Sequence, residues 1–175
     1  MTVKQYRIIL SLFMILLVSR AYSQKVTVDY DHKADFQGFK TYAWTKGTPL
    51  QNQLWDQRIV EGVDQQLQAK GLQKVAEGAN PDLYVLYHGA IGQEAQLNTM
   101  NMGGGWRWGG GMATTTVDRI RVGQLIIHIG DPKTKKLLWT ASSSNTLSDN
   151  PDKNQKTLDK ALQKMFKNFP PHPGK

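Results

Sequence analysis

Cysteine is absent from the 175 residues. That excludes a disulfide framework, a thiolate zinc site and a cysteine nucleophile. It also excludes lipid attachment through cysteine. Acidic residues are few, 14 Asp and Glu against 22 Lys and Arg, which leaves a formal charge of +8. Long apolar runs are absent after residue 23, so the mature chain has no predicted transmembrane span. The usual catalytic signatures are missing too. No G-x-S-x-G elbow surrounds Ser142, Ser143 and Ser144, no H-x-x-x-H pair occurs, and Asp29, Asp31 and Asp35 lack the spacing of a calcium loop. The sequence therefore predicts no catalytic residue, no metal site and no cofactor.

The one apolar run present is N-terminal. Lys4 and Arg7 precede Ile8 to Val18, and Ala21-Tyr22-Ser23 supplies the small residues of a signal-peptidase site. The reading is a signal peptide, residues 1–23, cleaved before Gln24, with export to the periplasm or cell envelope. An uncleaved N-terminal anchor is the alternative, although a run this short crosses a ~30 Å hydrocarbon core poorly. Cleavage removes Lys4, Arg7 and Arg20 and leaves +5. That charge favours anionic envelope surfaces and does not argue for nucleic acid.

Residues 24–175 read as a single domain. "KVTVDY" and "FKTYAW" alternate as strands, the second placing Phe39, Thr41 and Ala43 opposite Tyr42 and Trp44. Trp55, Ile59, Val63 and Leu67 recur every four residues and predict a helix over 53–70, stopped by Gly71. Asp56, Arg58, Glu61, Asp64, Gln65 and Gln68 fill its polar side. Gly62 inside it costs about 1 kcal/mol relative to Ala. "LQKV" is a possible short strand, Asp82 shapes a turn, and "LYVLYHGAI" is a strand. Residues 93–111 read as a polar, then glycine-rich, connector.

From Thr114 onward β-branched residues dominate. "QLIIHIGDPKTKKLLWTAS" reads as a hairpin, with Leu125, Ile127 and Ile129 facing Leu137, Trp139 and Ala141. Asn150 and Pro151 open a second helix. Its apolar stripe is Leu158, Ala161, Leu162, Met165, Phe166 and Phe169. Lys153, Lys156, Lys160, Lys164 and Lys167 line the opposite face, and "FPPHPGK" makes a short extended tail. The predicted fold class is α+β: a mainly antiparallel sheet with two helices packed on one face.

These landmarks together resemble a family of bacterial envelope proteins known as domain of unknown function 4136. The matching stretches are "VDYDHKADFQGFKTYAW", "NPDLYVLYHGA", "VGQLIIHIGDPKTKKLLWTAS" and "ALQKMFKNFPP". The resemblance implies export and frequent lipoprotein anchoring. This chain departs there, with Ala21-Tyr22-Ser23-Gln24 where a lipidated cysteine would stand. The resemblance carries no catalytic residues.

The glycine-rich loop 101–113 holds "GGGWRWGGG". It is not a phosphate loop, because no lysine follows the last glycine and a strand, not a helix, comes next. Two readings stay open. Trp106 and Trp108 stack on a sugar or lipid head group while Arg107 pairs with an anion. Alternatively the segment is a connector whose tryptophans fold back over the sheet. Lys156, Lys160 and Lys164 form a second candidate surface for an anionic partner. His88 and His128 lie on strands able to bring them together, without a third metal ligand nearby in sequence. The function these features predict is a binding or assembly role at the envelope, through an anionic surface, a glycan or another envelope protein. A small-ligand carrier of lipid or glycan is the alternative, and a hydrolase of envelope polymers a further one.

Overall fold

The computed structural model describes residues 25–101 and 113–171. The signal segment, the cleavage site, Trp106, Arg107, Trp108 and the tail beyond Pro171 lie outside the described residues. Six strands and two helices follow one another as β1 (Lys25–Tyr30), β2 (Thr41–Trp44), α1 (Gln53–Ala69), β3 (Gln73–Lys74), β4 (Leu83–Asn101), β5 (Ala113–Gly130), β6 (Leu137–Thr146) and α2 (Pro151–Met165). A 3-10 turn, Phe36–Gly38, links β1 to β2. The strands form one sheet in the order β1-β6-β5-β4-β2-β3. β1/β6, β6/β5 and β5/β4 are antiparallel, and β2 pairs parallel with both β4 and β3. The sheet is mostly antiparallel and the fold is α+β, as the sequence pattern predicts.

Each helix has a local reason to start and stop. The Asn52 side chain accepts from the backbone N–H groups of Leu54 and Trp55, and Asn150 does the same for Asp152 and Lys153, with Pro151 at the first helical position. α1 ends where Gly71 takes a φ of 88°, a left-handed turn that glycine makes without a Cβ clash.

Both helices bury their apolar stripes on one sheet face. Ile59, Val63 and Leu67 of α1 and Leu162, Met165 and Phe166 of α2 share a single cluster with Val85, Ile127, Ile129 and Trp139. Trp139 packs against Phe166 and Phe169, with ring centroids 4.9 and 5.4 Å away. Phe169 also meets Phe36, so the first residues of the predicted extended tail are held down by the aromatic core. The helices approach closely at Gly62, where a Cβ would lie 2.5 Å from Leu162 Cδ1. The glycine that weakens α1 locally is what lets the second helix dock.

Three expectations need correction. The predicted connector over 93–111 is in part strand, because β4 runs to Asn101 and β5 starts at Ala113. Beyond the last β5–β6 pair, Val122 with Thr146, the hairpin continues as a two-stranded ribbon. Gln93, Glu94 and Ala95 are exposed there, so no apolar alternation marks the strand. Second, Leu137 does not share a face with Trp139. The register shifts between Ile129 and Gly130, which leaves Leu137 52% exposed and buries Leu138 in its place.

Third, Asp56 and Asp64 are not part of a solvated helix face. Asp64 accepts from Tyr42 Oη at 2.7 Å, Trp44 Nε1 at 2.8 Å and Lys74 Nζ at 2.8 Å. Asp56 accepts from Tyr87 Oη at 2.5 Å and the Leu50 N–H at 2.7 Å. Two aspartates two turns apart thus tie α1 to β2, β3 and β4. Burial, then the Asp64 hydrogen bond, pushes the Tyr42 phenol well above its usual pKa.

Gly62→Ala tests the close approach. The substitution gains about 1 kcal/mol of helix propensity, but overpacking against Leu162 costs about 1–3 kcal/mol, so the chain should lose stability. In a Leu162→Ala background the same change should stabilise. Urea unfolding of the four members of this cycle measures the sign reversal.

Candidate functional site

The first candidate site is a cleft of about 270 Å³ between the N-terminal halves of the two helices and the inner sheet face. Trp55 and Ile59 of α1, Leu158 and Ala161 of α2, Leu125 of β5 and Leu50 form its apolar walls. Two glycines make room for these walls. A Cβ at Gly89 would meet Leu50 at 2.8 Å, and one at Gly123 would meet Leu147 at 3.0 Å. The linking segments can therefore lie flat on the sheet.

Polar groups in the cleft are few and held in place. Ser143, only 5% exposed, accepts from Asn145 Nδ2 at 2.7 Å. Asn154 clasps the Ser148 backbone, accepting from its N–H and donating to its carbonyl, both at 2.8 Å. Arg121 lines the cleft and pairs with the exposed Asp149. An apolar concavity with a few fixed polar groups is the usual form of a small-ligand site.

The second candidate lies on the outer face, where β4 and β5 present alternate residues away from the helices. His88 and His128 meet there with ring centroids 5.5 Å apart and planes at 70°. The His88 Nδ1 lies 2.8 Å from Thr48 Oγ1. The His128 Nδ1 is buried and has no hydrogen-bond partner among the described residues. They share a cleft of about 480 Å³ with Lys46, Lys135, Lys136 and Tyr84. Burial, reinforced by the neighbouring His88, holds the His128 pKa below the ordinary 6.5.

Other predicted residues do not converge. Lys156, Lys160 and Lys164 are exposed on α2 and take part in no ion pair among the described residues. Asp29, Asp31 and Asp35 each accept from a nearby backbone N–H, of Tyr30, Lys33 and Gln37. Asp82 accepts from the Lys40 and Thr41 N–H groups and the Thr41 hydroxyl, all at 2.9 Å, which lowers its pKa and fixes the entry to β2. Glu94 stands on the exposed ribbon, remote in strand register from His88 and His128. Among the described residues no three His, Cys, Asp or Glu side chains form a group able to hold a metal ion. No helix among them is long and apolar enough to cross a membrane.

The fold thus defines a two-layer α+β class of scaffold, with a cleft on either side of one sheet. Within that class the chain belongs to the domain of unknown function family DUF4136, whose model matches residues 26–171. No curated protein matches the chain significantly. Among solved structures it is similar to a PDZ domain protein from Parabacteroides distasonis, at 20% identity and a TM-score of 0.55 over 85% of this chain. It spans 35% of the length of that protein. It is also similar to the PelC dodecamer from Paraburkholderia phytofirmans, at 15% identity and a TM-score of 0.48, covering 82% of this chain and 97% of that one. At such identities the first likeness speaks for the fold alone.

Sequence reading brought His88 and His128 together and gave the carrier alternative a cavity between helices and sheet, but it named none of that cavity's lining residues and missed Lys46 and Lys135. The signals were available in part. Gly89 and Gly123 mark strand positions where a segment crosses close to the backbone.

The depressed His128 pKa has a consequence for stability. The unfolded chain, titrating near 6.5, binds the proton more readily than the native state, so stability should fall as pH drops below about 6.5. His88→Ala should raise the His128 pKa part of the way to 6.5, because burial remains. NMR titration of the imidazole C–H signals measures both values, and an unchanged His128 in the variant would contradict the assigned coupling.

Proposed function

We propose that this chain is an exported, non-enzymatic binding protein of the cell envelope that carries a small, largely apolar ligand between its helices and its sheet. The observation that supports the carrier reading is the apolar cleft lined by Trp55, Ile59, Leu125, Leu158 and Ala161, with Ser143 and Asn145 as its fixed polar contact. Residues 1–23 direct export and are removed before Gln24. The rest, 24–175, folds as one domain. The family match and the basic mature charge fit an envelope setting.

Native mass spectrometry of the chain isolated gently from a periplasmic fraction tests both parts. The expected species begins at Gln24 and carries a bound apolar molecule. Leu158→Trp, which fills the cleft from its half-buried wall, should keep the circular dichroism spectrum and lose the ligand. A chain recovered only in the cytoplasm would overturn the export reading, and ligand retained by Leu158→Trp would overturn the site.

Attachment to the envelope runs through two separate sets of residues. Trp106, Arg107 and Trp108 of the glycine-rich loop, with Lys156, Lys160 and Lys164 of α2, contact anionic lipid or glycan. Sedimentation with vesicles containing phosphatidylglycerol should bring down the wild-type chain and not a Trp106→Ala/Trp108→Ala pair, and should weaken as salt rises. Equal sedimentation of the two would remove the loop from this role.

A further inference from the structure

The outer cleft is unlike the rest of the sheet's uncovered face. Lys46 follows β2, Lys135 and Lys136 come from the loop between β5 and β6, and all three line one depression with His88, His128 and Tyr84. The one carboxylate there, Asp131, is already engaged. It accepts from the Lys133 N–H at 2.7 Å and from Thr134 Oγ1 at 2.7 Å, shaping its own loop, and these bonds lower its pKa. Among the lining residues three lysines therefore stand against a single carboxylate, whose oxygens are already bonded within its own loop.

We propose that this cleft binds the anionic group, phosphate or carboxylate, of a small ligand. Lysine and histidine side chains are donors suited to an oxoanion, and both line this cleft. A metal cation fits the same residues poorly, because two imidazoles would have to hold it beside three positive charges.

Lys135 supplies an independent observation. Its φ is 59°, in the left-handed region that favours glycine and disfavours a side chain with a Cβ. Its N–H donates to the Asp131 carbonyl at 2.9 Å, closing the loop, a role any residue but proline fills. Its ammonium stands 5.4 Å from the centroid of the Tyr84 ring, which lines the same cleft. A lysine kept where the backbone prefers glycine holds its charge beside the cleft, against the Tyr84 ring, where an incoming anion would meet it. The bulge beside Gly130 acts in the same direction, since it turns Leu137 outward onto the cleft wall, where an apolar part of the ligand can rest.

The test is an NMR titration of the intact mature chain with sodium phosphate and, separately, sodium acetate, at pH 7 and matched ionic strength. Saturable shifts of the His88 and His128 ring C–H signals are expected with at least one anion. Whichever anion saturates at lower concentration names the phosphoryl or the carboxylate class. Lys135→Gly should weaken binding at least fivefold while its melting temperature stays level or rises, and Lys46→Gln should weaken binding to a similar degree. No saturable shift with either anion, or zinc(II) binding in place of both, would overturn the proposal. So would wild-type affinity in Lys135→Gly, or a lowered melting temperature in that variant, which would show the lysine serving the loop itself. The carrier cleft is untouched by these substitutions, so the two sites fail or succeed separately.

Discussion

The approach of Leu162 to the bare backbone at Gly62 is the contact on which the rest of the arrangement depends. It lets α1 and α2 lie side by side over the same sheet face instead of standing apart on bulky side chains. With the helices at that spacing, Phe166 and Phe169 reach Trp139, and the aromatic core closes at the C-terminal ends of the helices. Lys70 Nζ donating to the Lys167 carbonyl marks those ends as neighbours. The N-terminal halves of the two helices share no comparable aromatic filling. Trp55 and Leu158 only rim the space there, so the same packing that closes one end leaves the cleft at the other.

The acidic residues explain much of the chemical character of the surface. Asp35, Asp56, Asp64, Asp82 and Asp131 all accept hydrogen bonds from backbone N–H groups, tyrosine, tryptophan or threonine. They pin turns and hold α1 to the sheet. At Asp82 and Asp131 these bonds drive the carboxyl pKa down, which makes both weak general bases near neutral pH. A few lysines have internal partners of their own: Lys74 pairs with Asp64, Lys40 and Lys70 donate to the Gln37 and Lys167 carbonyls, and Lys135 stands over the Tyr84 ring.

Local signals made most of the elements legible in sequence. Four-residue recurrence gave α1 to within a residue at its end, Gly71 marked its stop, and Asn150 with Pro151 marked the start of α2. Where legibility failed, the cause was a partner distant in sequence. Asp64 reads as a solvated helix residue until β2 brings Tyr42 and Trp44 against it. Leu137 reads as an inward residue until one extra residue in β6 inverts the alternation. Residues 93–101 read as connector because the ribbon's sequence carries no hydrophobic period, and its first positions, Gln93, Glu94 and Ala95, are exposed. The His88–His128 pair was legible because both sit near the middle of apolar strands, whereas Lys46 and Lys135 sit in loops whose placement no periodicity encodes.

The two candidate sites share β4 and β5, and the strand alternation keeps them chemically apart. Tyr87 and Gly89 face the helices while His88 between them faces outward. Ile127 and Ile129 face the helices while His128 between them faces outward. Each strand thus contributes apolar surface to one side and ionisable groups to the other, with no residue serving both. The inner cleft is bounded by the helices and can accept an apolar body without exposing it. The outer cleft is flanked by loops as well as by the two strands, so Lys46, Lys135 and Lys136 stay exposed while His128 is half-buried. A sheet of this kind is suited to hold an uncharged moiety on one side and an anionic one on the other.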